Sequence, residues 1–139
     1  MTARPAVRTQ PCTEAQARTR LDQARRFLDV AELVAGEADD REYASVSASL
    51  AVLAGIAAAD AACCKALGRR SRGQDHHQAE ELLAQVEPGG KQASNSLRRL
   101  LNLKAEAHYG LLDVGGQDLR AALRQAAALV KFADAVLLR

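Results

Sequence analysis

Aromatic side chains are scarce in this chain, which has no Trp, two Tyr and two Phe among 139 residues. Proteins that read single-stranded RNA stack its bases on aromatic rings set between basic residues, and such interleaving is absent here. The sequence therefore argues against base-specific readout. Pro is also scarce, with three residues, and the abundance of Ala and Leu favours helix almost throughout.

Cysteine is limited to Cys12, Cys63 and Cys64. An odd count with one adjacent pair is a poor disulfide framework. We therefore expect Cys63 and Cys64 to act as small apolar residues of a helix in a reducing compartment. A vicinal redox or metal site is the alternative, but no second ligand pair has suitable spacing. The sequence predicts no metal and no cofactor.

Several catalytic and targeting signals are missing as well. The chain has no phosphate-binding Gly loop, no nucleophile elbow and no dinucleotide fingerprint. The N-terminal residues contain no apolar stretch of signal-peptide length. The apolar run Leu50–Cys64 is too short and too rich in Ala to span a bilayer, and Asp60 interrupts it. We expect a cytoplasmic protein without a membrane partner.

Five helical segments are predicted from apolar periodicity and from the residues that begin and end helices. Thr13 and Gln16 match a capping box at the start of the first segment. The expected segments are Thr13–Ala35, a second from Asp39 or Asp40 to Leu67, Asp75–Val86, a fourth from Ser94 or Ser96 to around Tyr109-Gly110 or Leu112, and Gln117–Leu138. The links are short, which favours antiparallel neighbours. We predict an all-α, up-and-down antiparallel bundle of five helices, with one domain over residues 13–139 after a flexible tail over residues 1–12.

Three ionisable residues stand in apolar surroundings. Lys104 and His108 share one face of the fourth helix with a leucine stripe, and Asp60 lies inside the apolar second helix. Burying an unpaired charge is costly, so these residues should be paired, functional, or both. His108 would serve as acid or base, Lys104 would neutralise a developing phosphorane, and Asp60 would orient one of them. The alternative is a structural Asp–Lys ion pair with a hydrogen-bonded His.

Positive charge is concentrated in a second region of the chain. Arg69, Arg70 and Arg72 form a basic loop that leads to His76 and His77 at the start of the third helix. Helix N-termini attract phosphate, so the functional interpretation is a contact with the RNA backbone, and the alternative is a solvated loop.

Other arginines fall on helix surfaces. Arg98 and Arg99 of the fourth helix complete the set of candidate RNA contacts. The arginines of the first helix, Arg18, Arg20, Arg25 and Arg26, are interpreted as a solvated face.

Two stretches resemble a known family. They are SLAVLAGIAAADAACCKALGRRSRGQDHHQAEELL (Ser49–Leu83) and LRRLLNLKAEAHYGLLDVGGQDLRAALRQAAALVKFADAVL (Leu97–Leu137). Their leucine-rich helix, basic residue and Tyr-Gly, followed by an Ala-rich last helix, resemble the HEPN superfamily of small all-α bundles. The similarity covers roughly Thr13–Leu138. Members are linked to RNA cleavage, toxin–antitoxin pairs and phage defence.

The resemblance implies a metal-independent endoribonuclease whose active site is shared by two subunits. Lys104 and His108 would line the dimer cleft, with Tyr109 at its rim. The family signature is Arg, four to six residues, then His, whereas only three residues separate Lys104 from His108. Arg72–His77 and Arg70–His76 have the right spacing in another part of the chain.

Two hypotheses follow from this reading. The first is an RNA-associated homodimer, a ribonuclease toxin or defence factor, that pairs through the face carrying the fourth and perhaps the second helix. The second is a non-catalytic interaction module, such as an antitoxin-type or scaffold partner. The expected partners are a second copy, RNA, and a cognate toxin or antitoxin.

Overall fold

The computed structural model describes residues 8–37, 41–72, 76–109 and 115–139, with the side chains of 41 and 104–109 excepted. Five helices account for most of these residues, which confirms the all-α class. The elements are β1 (Thr9–Pro11), α1 (Glu14–Ala35), α2 (Arg41–Leu67), β2 (Arg69–Ser71), α3 (His76–Leu83), α4 (Gly90–Tyr109) and α5 (Gly116–Leu137).

Helix α1 begins with the predicted capping box. The Thr13 hydroxyl accepts a hydrogen bond from the Gln16 amide at 3.1 Å, and the Gln16 side-chain oxygen accepts one from the Thr13 amide at 2.9 Å. Two amides that the helix leaves without partners are thereby satisfied. The helix ends before Gly36, and its buried face carries Ala17, Leu21, Ala24 and Ala31.

Helix α2 is the central element and packs against α1, α4 and α5. Its small side chains let neighbouring helices approach closely, above all at Gly55. A Cβ added there would lie 2.5 Å from Leu100 Cδ1 of α4 and 3.1 Å from Leu129 Cδ1 of α5. The helix ends at Leu67, and the next residue, Gly68, has a φ of +69°. A positive φ suits glycine and ends the helix where the sequence predicts.

The direction of the helices follows from pairs of contacts. Ser47 Oγ donates to the Ala31 carbonyl at 2.6 Å, while Arg20 reaches Asp60, so α1 and α2 are antiparallel. Helices α2 and α5 instead run in the same direction, because the start of α2 packs on Leu119 and its middle on Leu129.

Helix α4 begins earlier than predicted. The expected start near Ser94 or Ser96 is wrong, because Ser94 Oγ donates to the Glu80 carbonyl at 2.8 Å and so stabilises the end of α3. The helix starts at Gly90, where an added Cβ would lie 2.5 Å from the Leu83 carbonyl oxygen. Only glycine permits this approach of α4 to α3. Helix α3 is also shorter than expected and ends at Leu83 rather than Val86.

Two short strands lie where the sequence predicts a tail and a loop. Thr9–Pro11 pairs antiparallel with Arg69–Ser71, and the Cys12 amide donates to the Gly68 carbonyl at 3.0 Å. The expectation of a flexible tail is therefore wrong for Thr9–Cys12. Strands of three residues have too little alternation to be recognised from sequence.

One helix of the described chain has the length and hydropathy of a membrane span, namely Glu42–Leu67 within α2. Of its most apolar window, 72% is buried inside the protein. Helix α2 thus has the burial of a core helix, the environment in which apolar residues on all sides are expected.

Candidate functional site

A disulfide joins Cys12, directly after β1, to Cys64 in the last turn of α2. The Cα atoms are 5.4 Å apart, and the two residues are 52 positions apart in sequence. The expectation that all three cysteines stay reduced is wrong for this pair. Strand pairing sets Cys12 beside Gly68, whose amide donates to the Cys64 carbonyl at 3.0 Å. No local pattern in the sequence indicates this disulfide, because the two cysteines are far apart along the chain.

Cys63 behaves as the sequence predicts. It is a free cysteine, 3% exposed, among the apolar side chains of the core. Burial raises the pKa of its thiol to about 12, and the negative charge of Asp60 adds to the shift. At neutral pH the thiol is therefore protonated and unreactive.

The strand pair carries four arginines, Arg8, Arg69, Arg70 and Arg72, which we call the arginine ribbon. The antiparallel register sets Arg70 opposite Gln10, and the Arg72 amide donates to the Arg8 carbonyl at 2.9 Å. The predicted basic loop is therefore part of a two-stranded surface, and Arg8 belongs to it.

The charge of the arginine ribbon is not matched by carboxylates within the described part of the chain. Arg70 Nη2 donates to the amide oxygen of Gln10 at 3.4 Å, and Arg69 Nη2 donates to that of Gln85 at 3.4 Å. None of the ion pairs among the described residues includes an arginine of the ribbon. Since an amide oxygen carries no net charge, the ribbon keeps its positive potential.

Asp60 forms a buried ion pair with Arg20 of α1. The Arg20 Nε and Nη2 atoms both lie 3.1 Å from Asp60 Oδ2, and the aspartate is 7% exposed. Burial raises the pKa of the Asp60 carboxyl, and the charges of Arg20, Arg70 and His76 oppose that rise. The interpretation of Arg20 as part of a solvated face is therefore wrong. The prediction that Asp60 is paired is confirmed, but with a partner that the sequence did not indicate.

Lys104, His108 and Tyr109 belong to α4, but their side chains lie outside the described part of the structure. Their assignment to a catalytic cleft stays a prediction. Asp60 has its described ion pair with α1, so its proposed role in orienting Lys104 or His108 has no support from this contact.

The remaining candidate contacts do not all join the arginine ribbon. His77 Nδ1 lies 2.6 Å from Glu80 Oε2, and Arg98 Nε lies 3.5 Å from Glu80 Oε1. Glu80 is 6% exposed and forms a separate charged cluster that sequence reasoning missed. Arg99 is exposed on α4, and His76 lies at the start of α3, where its charge acts on Asp60.

A pocket of about 450 Å³ lies between the first turns of α1 and the strand pair. Arg20 and Arg70 are part of its wall, and both sulfur-bearing residues of the disulfide line it. Glutamine and threonine side chains supply most of the remaining lining, so the pocket is polar. It joins a buried ion pair, an arginine with a neutral partner and an accessible disulfide in one place.

A second surface is apolar and lies on the outer side of α1 and α2. Its exposed members, which we call the apolar face, are Val30, Leu33, Tyr43, Val46 and Leu53. A groove of about 540 Å³ is lined by one of them, Val30, together with Phe27 and Leu50 among others. The predicted homodimer was placed on the fourth and second helices and stays a prediction.

Among the described residues, no group of three or more His, Cys, Asp or Glu side chains lies close enough together to hold a metal ion. No family model matches this chain, nor does any curated protein or solved structure. The resemblance to the HEPN superfamily therefore stays a prediction from the sequence.

Proposed function

We propose that this protein binds the phosphate backbone of RNA through the arginine ribbon. The observation that carries the proposal is the strand pairing, which brings Arg8 beside Arg72 across more than sixty positions of sequence. Four arginines are thereby gathered along one short strand pair. Arginine suits this role because its planar fork donates two hydrogen bonds to one phosphate.

The proposed contact does not depend on the base sequence. Phosphate contacts position a protein on nucleic acid, whereas sequence is read from base edges or from stacked bases. The scarcity of aromatic residues argues against stacking. Binding through the arginine ribbon should therefore be weakly selective among RNA sequences and should weaken steeply with salt.

The ion pair of Asp60 with Arg20 gives no support to the part of the nuclease hypothesis in which Asp60 orients Lys104 or His108. That carboxylate joins α2 to α1 and is 7% exposed, as expected of a structural ion pair. A ribonuclease activity of the HEPN type rests on Lys104 and His108 and on the resemblance alone. The homodimer and a cognate toxin or antitoxin partner rest on the same resemblance.

The binding proposal is tested by fluorescence anisotropy with a labelled single-stranded RNA over a range of salt concentrations. The variant Arg8→Gln/Arg72→Gln removes two exposed guanidinium groups that take no part in the described ion pairs. We expect about tenfold weaker binding near 0.1 M salt, and a salt slope reduced by roughly 1.4, the value for two phosphate contacts on a single strand. The variant Arg120→Gln/Arg124→Gln is the matched control, because both arginines are exposed on α5.

Wild-type affinity and salt slope in the Arg8→Gln/Arg72→Gln variant would contradict the proposal, as would failure of the wild type to bind. Incubating the same RNA with wild type and His108→Ala without added metal tests the nuclease alternative. Cleavage that is lost in His108→Ala would support it, and an intact RNA with both proteins would leave binding as the function.

A further inference from the structure

The disulfide of this protein is open to small molecules. Cys12 is partly exposed, Cys64 is 4% exposed, and both line the pocket of about 450 Å³. A disulfide inside a core is protected because an attacking thiolate must reach one of its sulfurs. Since Cys12 is the more exposed of the two pocket-lining cysteines, its sulfur is taken as the point of attack, and Cys64 Sγ is then the leaving group.

The charges around this pocket do not cancel. Arg20 is matched by Asp60, and Lys65, the neighbour of Cys64, forms an ion pair with Glu14. Within the described ranges Arg70 donates to the neutral Gln10 and forms no ion pair, although its charge also acts on Asp60, and Arg8 and Arg72 flank the same strand pair. The pocket therefore has a positive potential, which raises the local concentration of anions.

We propose that the Cys12–Cys64 disulfide is a thiol-exchange site that selects low-molecular-weight thiols carrying carboxylate groups. The carboxylates of such a thiol would meet the Arg70 guanidinium while its sulfur reaches Cys12. An acidic thiol is thus favoured by charge, and the pocket is large enough to admit it.

The reaction has two balanced steps. The external thiolate attacks Cys12 Sγ, the Cys12–Cys64 bond breaks, a mixed disulfide forms on Cys12, and the Cys64 thiolate leaves and takes a proton from water. A second external thiolate then attacks the external sulfur of the mixed disulfide and expels the Cys12 thiolate, which is also protonated. Two external thiols are oxidised to one disulfide, and the protein disulfide is reduced by two electrons.

The neighbouring Cys63 does not take part. Its thiol is buried and stays protonated because its pKa is raised to about 12. An internal attack by Cys63 on Cys64 is therefore suppressed, and the exchange depends on the external thiol. Cys63 therefore serves as an internal control when the adduct is mapped, because an adduct on Cys63 would not come from the proposed exchange.

One consequence rests on the proposed function. Cys12 follows β1 directly, and a carboxylate-bearing adduct there would place negative charge beside the arginine ribbon. RNA affinity should then fall when the thiol is bound. The exchange reaction itself is measured without RNA, so failure of one proposal is distinguishable from failure of the other.

The test uses the full-length oxidised protein with reduced glutathione as the acidic thiol and cysteamine as the cationic one. Each rate is divided by the rate of the same thiol with bis(2-hydroxyethyl) disulfide, which removes differences in intrinsic reactivity. We expect a normalised rate at least fivefold higher for glutathione at low salt, and a smaller ratio in 1 M salt, where the Debye length is about 3 Å. Peptide mapping by mass spectrometry should locate the adduct on Cys12.

Arg70→Gln should lower the glutathione rate severalfold and leave the cysteamine rate equal or higher. Arg124→Gln on α5 is the matched control and should change neither rate, and Cys63→Ala should react like the wild type. Equal normalised rates for the two thiols would overturn the proposal, as would an adduct confined to Cys63. Reaction only after unfolding by urea would overturn it as well.

Discussion

Two regions of the molecule are held together by different forces. The first, the clasp, consists of β1, β2, the Cys12–Cys64 disulfide and the Arg20–Asp60 ion pair. The second, the alanine core, is centred on Gly55, where α2 meets α4 and α5 through small and leucine side chains. A covalent bond and charged pairs stabilise the clasp, whereas close apolar packing stabilises the alanine core.

The comparison shows why both regions matter for function. The alanine core fixes the helices, and its side chains offer no group that could bind a ligand. The clasp contains the arginine ribbon, the disulfide and the polar pocket, so the candidate chemistry is concentrated there. The clasp depends on one disulfide, one strand pair and one ion pair, so single substitutions there should destabilise the clasp without destabilising the alanine core.

The largest expected effect is in the alanine core. Leu100 is fully buried and contacts Gly55, so Leu100→Ala removes apolar contacts and leaves a cavity. We expect a loss of about 4 kcal/mol in the free energy of unfolding, measured by urea denaturation. Leu53→Ala is the control. Leu53 lies on α2 two positions before Gly55 but is 45% exposed, so this substitution should cost less than about 1 kcal/mol.

A double-mutant cycle sharpens this prediction. A Cβ at Gly55 would lie 2.5 Å from Leu100 Cδ1, so Gly55→Ala should destabilise the wild type despite the helix propensity of alanine. In the Leu100→Ala background the same change should stabilise the protein, because the cavity accepts the methyl group. Additive effects of the two substitutions would show that Gly55 and Leu100 are not energetically coupled, contrary to their close approach in the structure.

The second expected effect is in the clasp. Replacing the disulfide by Cys12→Ser/Cys64→Ala releases a loop closed over 52 positions, and we expect a loss of about 3 kcal/mol. Hydrogen exchange should become faster at the amides of Arg69–Ser71 and change little in the middle of α2. Cys63→Ala is the control for altering a neighbouring buried sulfur.

Equal loss of protection in the clasp and in the alanine core would contradict the distinction between the two regions. A loss below about 1 kcal/mol would show that the strand pair and ion pairs hold the clasp without the disulfide. The free energy of unfolding and the hydrogen exchange are both measured on the wild type and on Cys12→Ser/Cys64→Ala, so the two results can be compared directly.

Local patterns in the sequence predicted the alanine core well. The capping box at Thr13, the end of α1 before Gly36 and the end of α2 before Gly68 depend on neighbours within a few residues. The apolar residues on all sides of α2 indicated its central position. Such features are visible because helix periodicity and caps are local.

The clasp could not be predicted in this way. Its strands have three residues each, and pairing joins residues about 60 positions apart, so no short-range periodicity records it. The predicted start of α4 near Ser94 is wrong because the Ser94 hydroxyl donates to a carbonyl of the preceding helix, a contact that the local sequence does not show. Arg20 was assigned to the surface because its partner, Asp60, lies on another helix.

The candidate site was predicted in part. The cluster of Arg69, Arg70 and Arg72 was recognised from its charge, and the structure adds Arg8 from the opposite strand. Glu80 was missed, although its cluster with His77 and Arg98 could have been suspected from a carboxylate three residues after a histidine. The importance of the pocket depends on the disulfide, which only the tertiary structure reveals.

The smallest of these effects concerns the ion pair within the clasp. Arg20→Met leaves the Asp60 carboxylate buried without its partner, and we expect a loss of about 2 kcal/mol at pH 7, below the usual cost because Arg20 is one-third exposed. Arg20→Met/Asp60→Leu should recover most of that loss, since no charge then stays buried. A double variant as unstable as Arg20→Met alone would contradict this explanation.

The pH dependence of the free energy of unfolding tests the same ion pair. Burial raises the pKa of Asp60 above its usual value of 3.8, so the protonated carboxyl favours the folded state. Its contribution to stability is full below about pH 3.8 and falls as the pH rises through the raised folded pKa. Without Arg20 that pKa rises further, so the deficit of Arg20→Met should be small in acid and grow toward neutral pH.

The ion pair of Lys65 with Glu14, which lies outside the clasp as defined, shows a pKa shift of the opposite sign. Lys65 lowers the pKa of Glu14 from its usual 4.5, so that contribution is present above pH 4.5 and is lost as the pH falls. Each cation stabilises only an ionised carboxylate, so urea denaturation between pH 3 and pH 7 should show deficits of Arg20→Met and Lys65→Met that both grow with pH. The deficit of Arg20→Met should grow over a higher pH range, because the pKa of Asp60 is raised and that of Glu14 is lowered. Growth of both deficits over the same pH range would mean that burial does not raise the pKa of Asp60, because desolvation is the effect that gives the two carboxyl groups pKa shifts of opposite sign.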